Sequence, residues 1–258
     1  MSAILKLSHI RFQYVLPGPK KAAVPVFHDL SFTLEPGEKV GLIGSNGVGK
    51  STLLKLIVGL LPLQAGTLEV CGLPLDRDHL PAIREKTGYV FQDSDSQLFL
   101  PTVESDVSFA LRNRGVPREE TERRTAEALA RVGMEDMARR QIYRLSEGQK
   151  KLTAIAGLLT QEPDLLLMDE PYGQMDIKLR FYLEDEVVRL WKETGSTVLF
   201  ITHNIEEAVY LAERILILTN KPTTIKEDFK VDLPRPRDVT SPEFTKIRQY
   251  VTDQIKWW

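Results

Sequence analysis

The sequence holds a single cysteine, almost no net charge and no long uninterrupted apolar run. Each scarcity excludes something. With Cys71 alone, no disulfide can close inside the chain, which suits a reducing compartment such as the cytosol. Lys plus Arg (34) nearly balance Asp plus Glu (36), so no nucleic acid or other polyelectrolyte partner is expected. No stretch reaches the roughly 18 consecutive apolar residues that a membrane span needs. Leu53 to Leu61 comes nearest and is broken by Lys55. The opening MSAILKLSHIRFQY lacks the apolar core of a signal peptide. The expectation is a chain soluble by itself, so that work at a membrane would need another polypeptide to cross it. Internal repeats and low-complexity segments are also missing. At 258 residues there is room for one large α/β domain, or for one domain with an insertion and an extension.

What is there is organised around GLIGSNGVGKSTLLKLIVGLL, residues 41 to 61. An apolar run ending in Gly41-Leu42-Ile43 reads as a buried strand, and Thr52 to Leu61 as a helix that stops before Pro62. Between them, Gly44, Ser45, Asn46, Gly47, Val48, Gly49, Lys50 and Ser51 match two glycines five apart followed by lysine and a hydroxyl residue. Glycine lets the backbone curl so that several N–H groups face one hollow. With the helix N-terminus, those groups make a polyanion site. Lys50 would reach β- and γ-phosphates, and the Ser51 hydroxyl would ligate Mg²⁺. A glycine-rich turn before an ordinary helix is the plain alternative.

Ile4 to Tyr14 shows broken period-two alternation, and Val24 to Leu34 alternates more cleanly around His28, so both read as strands of an antiparallel layer. The loop Pro17 to Lys21 separates them, and Glu35-Pro-Gly37 is a turn. Gly66 to Val70 and Thr87 to Phe91 read as strands, with a short helix over Asp78 to Lys86 between them. From Asp93 to Gln161 the apolar spacing is helical, over Val103 to Arg112, Pro117 to Val132 and Ser146 to Thr160. Leu165 to Met168 reads as a central parallel strand. It is followed by helix Asp176 to Glu193, strand Thr197 to Thr202, helix Asn204 to Ala212 and strand Ile215 to Leu218. Strands alternating with helices imply a parallel sheet with crossovers. Beyond Asn220 a polar, proline-punctuated segment leads to a final amphipathic helix carrying Phe244, Ile247, Val251, Ile255 and Trp258.

Further residues at four places along the chain bear on chemistry. Asp169 and Glu170 end the buried strand, where ligand sites of open parallel sheets lie. Asp169 suits a hold on Mg²⁺ through water, and Glu170 could polarise an attacking water; taken alone, the pair is equally a strand emerging into solvent. Ser146 and Gln149 open a helix as an ordinary capping box, yet Ser146 and Gly148 at a helix start also form a second potential phosphate site. His203 precedes Asn204, an N-cap with Glu207 at its third position, and a lone histidine there is more often structural than catalytic. Gln92 by itself says nothing.

Taken in order, these residues resemble the nucleotide-binding subunits of ABC (ATP-binding cassette) transporters over Ile4 to Thr219. The resemblance implies a P-loop NTPase fold, a RecA-like and mostly parallel sheet with an N-terminal antiparallel β subdomain and an inserted helical subdomain. The expected domain runs over residues 1–220, with the helical insert at about 93–161 and an extension over 221–258. The resemblance makes Gly44 to Thr52 the Walker A loop, Tyr14 the adenine-stacking residue and Gln92 the switch-loop glutamine on Mg²⁺ and water. It makes Leu145 to Gln149 the signature motif, with Ser146, Gly148 and Gln149 on ATP. Asp169 and Glu170 are then the Walker B pair, Asp176 the D-loop aspartate and His203 the switch histidine. Glu170, His203 and Gln92 would be catalytic, and Ser51, Gln92 and Asp169 would hold the metal. The implied cofactors are ATP and Mg²⁺, with two such domains, identical or different, sandwiching two ATPs.

The stretch Tyr89-Val-Phe-Gln-Asp-Ser-Asp-Ser-Gln-Leu-Phe99, with Gln149-Lys-Lys151 and Ala154-Ile-Ala-Gly157, resembles a narrower group, the ATPases of energy-coupling factor importers for cobalt or nickel. That likeness implies a transmembrane coupling subunit, a substrate-binding membrane subunit and a peripheral place on the cytoplasmic face of the membrane. A vitamin importer of the same type is the alternative cargo reading. Asp93 and Asp95 are expected to face basic residues of the coupling helices. Three residues depart from the family pattern: Glu147 for the first signature Gly, Tyr172 for Thr, and Met175 for Leu. A non-transport ATPase acting on nucleic acid or ribosomes fits poorly, because only about ninety residues without sustained heptads separate Ser51 from Leu145. A GTPase switch fits worse, since Thr223 stands where the aspartate after Asn220-Lys221 should be.

Overall fold

A computed structural model describes residues 3–15, 23–172 and 177–255. The chain divides into two compact units, residues 1–84 with 197–258, and residues 85–196.

In the first unit, strands Ala23–Leu34, Leu5–Val15, Ala65–Val70 and Leu73–Pro74 lie side by side, in that order, as an antiparallel sheet. Leu5, Leu7, Ile10 and Phe12 are all buried, so the inward set skips one residue between Leu7 and Ile10. The cause is a pair of bulges. His9 and Asp29 both have positive φ (56° and 61°), and the His9 ring lies 2.6 Å from the Asp29 carboxylate across the strand pair. Without the bulge, the side-chain period of two would turn Ile10 and Phe12 to solvent. The broken alternation in the sequence is therefore one continuous strand.

The same unit holds a parallel set. Strand Lys39–Ile43 lies between Thr197–Thr202 and Arg214–Leu218, parallel to both. Every residue of Lys39–Ile43 and of Thr197–Thr202 is buried, as expected of strands covered on both faces. Ile225–Lys230 adds an antiparallel strand beside Arg214–Leu218. The sequence reading has only a polar segment there, because IKEDFK alternates half-buried Ile225, Glu227 and Phe229 with exposed charge. That pattern belongs to a guarded edge strand and is weak as a strand signal. The helix after the phosphate loop spans Lys50–Ile57, shorter than Thr52 to Leu61, because Gly59 takes φ 64° and turns the chain. The final helix, Pro242–Ile255, buries Phe244, Val251 and Ile255; Trp258 lies outside the described residues.

In the second unit, Thr87–Val90 and Leu165–Asp169 pair in parallel, and helices Val103–Val107, Phe109–Asn113, Arg118–Arg131, Glu147–Leu159 and Ile177–Thr194 accompany them. The expected helix over Val103 to Arg112 is two helices. The Ser105 carbonyl is taken by the Ser108 hydroxyl at 3.2 Å and by the Arg112 guanidinium at 2.7 Å, and this side-chain competition breaks the ladder at Ser108. Phe91 lies beyond its strand, which stops at Val90. Among the described residues, no helix is long and apolar enough to cross a membrane.

Candidate functional site

In the first unit the strand register places the phosphate loop. Ile43 pairs with Thr202, so Gly44 and His203 leave adjacent parallel strands at the same carboxyl edge, where such sheets bind ligands. Gly47 and Gly49 have φ 83° and 111°. At Gly49 space matters as much as conformation, since a Cβ would lie 2.4 Å from Val26 Cγ1 and 3.1 Å from the Phe27 ring. Lys50 is only 6% exposed and donates to the carbonyls of Gly44 at 2.9 Å and Ser45 at 3.2 Å. Its ammonium therefore sits over the loop, as a phosphate partner must. Tyr14 reaches the same place, with its hydroxyl 3.1 Å from Thr52 Oγ1 and its ring edge-on to Phe12.

One supporting residue escaped the sequence reading. Thr223 is fully buried; its hydroxyl donates to the Val48 carbonyl at 2.7 Å and its amide to the Val26 carbonyl at 2.7 Å, so it props the phosphate loop on the neighbouring strand. The only signal in the sequence was a lone polar residue where the guanine-reading motif fails. His203 itself is exposed, while its flanks are tied down. Asn204 caps the helix Ile205–Leu211 by accepting from the amides of Glu206 and Glu207, and the Thr202 hydroxyl donates to the Glu207 carboxylate at 2.5 Å. The other end of this helix is held by Arg237, whose guanidinium donates to the carbonyls of Val209 at 2.7 Å, Tyr210 at 3.0 Å and Ala212, and by Arg235 on those of Tyr210 and Leu211. Burial pushes the Arg237 guanidinium down to about 10, and the neighbouring Arg235 pushes the same way.

In the second unit Val90 pairs with Met168, so Gln92 and the Asp169-Glu170 pair also emerge side by side. Gln92 Nε2 donates to Glu170 Oε2 at 3.0 Å. Glu170 has φ 44°, a left-handed conformation that a glutamate takes only where the surroundings impose it. Asp169 is buried and accepts from the Tyr89 hydroxyl at 3.3 Å. Burial, then the charge of Asp169, raises the Tyr89 phenol well above its ordinary range, so it stays a donor. Lys151 donates to the carbonyls of Phe91 at 2.5 Å and Gln92 at 2.8 Å, which fixes the backbone of the glutamine loop to the helix Glu147–Leu159. Burial pushes its ammonium down to about 8 against the pull of four carboxylates, Asp169 foremost.

Ser146 caps that helix as the sequence predicts: its hydroxyl accepts from the Gln149 amide at 3.3 Å while Gln149 Oε1 accepts from the Ser146 amide at 3.0 Å. Gly148 is buried in the first turn. Asp93 and Asp95 are both exposed, and both are also used within the chain. Asp93 accepts from the Asp95 amide at 3.0 Å and from the Ser96 hydroxyl at 2.7 Å, and Asp95 pairs with Lys150 at 2.6 Å. Tyr172 is buried, whereas Met175 and Asp176 lie outside the described residues.

The first unit thus brings together Gly44 to Thr52, Tyr14 and His203. The second brings together Gln92, Asp169 and Glu170, with Ser146, Gly148 and Gln149 on an adjoining helix start. The cradle fits a polyphosphate, since Gly47 and Gly49 take the left-handed backbone that such a loop needs and the Lys50 ammonium lies over it on the Gly44 and Ser45 carbonyls. The Ser51 hydroxyl, the Gln92 amide oxygen and the Asp169 carboxylate are hard oxygen donors of the kind Mg²⁺ takes.

Comparison with known proteins agrees. The family described as ABC transporter matches residues 27–173. The energy-coupling factor transporter ATP-binding protein EcfA1 of Enterococcus faecalis is 41% identical over 92% of this chain and 88% of its own length. That of Latilactobacillus sakei is 42% identical over 83% and 75%. The taurine import ATP-binding protein TauB of Shigella flexneri is 34% identical over 98% and 97%. Among solved structures, cbiO1 of Clostridium perfringens, part of the ABC transporter complex cbiONQ, superposes with TM-score 0.80 at 31% identity over 90% of each chain. A dimeric ATP-binding cassette in a post-hydrolysis state with ADP and phosphate gives 0.77 at 28% identity over 89% of this chain and all of its own. With its Gly44–Ser51 cradle and its Asp169-Glu170 pair, the chain belongs to the ABC transporter ATPases, of the energy-coupling factor type, and hydrolyses ATP with Mg²⁺ to drive transport.

Proposed function

We propose that this ATPase powers uptake of cobalt or nickel ions through separate membrane subunits, namely a transmembrane coupling chain and a substrate-binding chain. It would work as one of a pair of ATPases, identical or different, on the cytoplasmic face of the membrane. The run Gln92 to Phe99, which resembles that of the cobalt or nickel importers, supports the cargo reading. The ATPase body would be residues 1–220, with 93–161 as the helical insert and 221–258 as an extension.

The hydrogen bond between Gln92 and Glu170 carries the mechanism. Glu170 is the group that accepts a proton from the attacking water, and Gln92 orients its carboxylate. Lys50 meets the β- and γ-phosphates over the Gly44–Gly49 amides, while His203 steadies the γ-phosphate and Tyr14 stacks on adenine. Mg²⁺, held by Ser51, Gln92 and, through water, Asp169, would neutralise charge on the phosphates. Ser146, Gly148 and Gln149 would receive the γ-phosphate of the ATP held by the partner ATPase, with Asp176 beside it. The turn after Gln92 then passes the closing of the pair to the membrane chains.

The test is to purify the complex through a tag on this chain, reconstitute it in vesicles and measure ATP-dependent uptake of labelled cobalt and nickel. Uptake should occur and should vanish with Lys50→Ala, which loses ATP affinity. Uptake of an organic solute in place of either metal would overturn the cargo, a result that the 34% likeness to a taurine import ATPase makes specific enough to assay directly.

A further inference from the structure

Glu147 stands where the signature motif has its first glycine, in the first turn of the helix Glu147–Leu159. The amide end of that helix attracts anions, so a carboxylate there competes for the place a phosphate would take. In the structure the carboxylate is drawn aside. Lys150, one turn on, lies 2.8 Å from Glu147 Oε1 and 2.6 Å from Asp95 Oδ1. The Lys150 side chain is 11% exposed, so its stem is packed and its ammonium has little freedom to swing away. Asp95 belongs to the turn Ser94–Ser96, which Asp93 caps, so the second anchor is itself held. Asp95 first and Glu147 second raise the Lys150 ammonium above the usual lysine range, keeping it charged.

We infer that Lys150, anchored by Asp95, is a positioning residue that holds the Glu147 carboxylate off the phosphate-receiving end of the signature helix. The inference rests on the signature motif receiving a γ-phosphate, as proposed above. It gives the departure at Glu147 a compensating partner in the same chain. It also links the first turn of the signature helix to the turn three residues after Gln92.

The experiment is a double-mutant cycle on the purified complex, with ATP turnover and half-saturating ATP measured for wild type, Lys150→Met, Glu147→Gly and the double variant. A carboxylate released beside a γ-phosphate repels it, so Lys150→Met should slow turnover about tenfold in the presence of Glu147. In the E147G background the same substitution should cost about nothing. Equal losses in both backgrounds would overturn the inference, because a merely structural lysine is missed whether or not Glu147 is there. Asp95→Asn covers the case in which Lys150→Met folds poorly. It should give a smaller loss, again cancelled by E147G, and a loss that E147G leaves in place counts against the inference. ATP-driven association of the Glu170→Gln variant is measured in parallel. If that association fails, the functional reading falls; if it is normal and the cycle shows no coupling, only the role of Lys150 falls.

Discussion

Gln92 Nε2 and Glu170 Oε2 are 3.0 Å apart, joined across the carboxyl ends of two parallel strands. One oxygen of the carboxylate is thereby committed to an amide, which fixes the plane in which the acid can meet water. Glu170→Gln should keep ATP binding, lower turnover by about a hundredfold or more, and trap an ATP-bound dimer visible by gel filtration. Turnover at the wild-type rate would remove Glu170 from its role.

Thr223 lies 175 positions from Val48 in sequence and supplies the hydroxyl that satisfies its buried carbonyl. Thr223→Val keeps shape and β propensity but leaves that carbonyl bare, at a cost of about 1–2 kcal/mol. Because the carbonyl belongs to the phosphate loop, ATP affinity should fall severalfold as well, and Thr223→Ser should recover it. Calorimetric titration with ATP decides the matter, and unchanged affinity in Thr223→Val would mean the loop holds itself.

Arg237 donates to three carbonyls at the end of the helix that begins after His203, and is 7% exposed. Arg237→Met would strip those carbonyls of a charged donor at a helix C-terminus. A loss of about 2 kcal/mol, or roughly 4–8 °C in melting temperature, is expected. Thermal unfolding followed by circular dichroism measures it.

Lys151 sets a pH dependence with a definite sign. Its folded-state value, about 8, lies below the unfolded lysine value of 10.5. Between these values the unfolded chain binds more protons than the folded one, so this group makes stability rise with pH across that window. Well below pH 8 it is charged in both states and contributes no slope. Wild type should therefore gain about 1–2 kcal/mol relative to Lys151→Met between pH 8 and pH 10 in denaturant unfolding. A difference that stays flat or shrinks would show that the ammonium is not penalised by burial.

Much of the site can be read along the chain because its parts are local. A phosphate loop is eight consecutive residues whose glycines, lysine and hydroxyl act within one turn of backbone. The capping box at Ser146 and Gln149 and the cap at Asn204 each span three or four residues, and both form as read. The fully buried strands Lys39–Ile43 and Thr197–Thr202 announce themselves by the apolar runs Val40 to Ile43 and Val198 to Ile201. The edge strand Ile225–Lys230 does not, because its stability comes from a neighbour 7 to 16 positions earlier, as in the pairs Ile225 with Leu218 and Lys230 with Arg214. Its own composition is that of a loop. The helix over Val103 to Arg112 misled for the opposite reason: its apolar spacing is right, and a side-chain contest at the Ser105 carbonyl, which spacing cannot express, cuts it in two.

By itself the sequence determined the family, the nucleotide and the metal, since each is written in short contiguous patterns that backbone geometry turns directly into local structure. Tertiary structure alone decided how those patterns are held. Thr223 under the phosphate loop, Arg235 and Arg237 on the helix after His203, and Lys150 on Asp95 are contacts that depend on where the chain returns in space. A hydroxyl or guanidinium carries no mark in the sequence of the carbonyl it will reach. Only packing brings the two within hydrogen-bonding distance, and only there does their chemistry acquire a role.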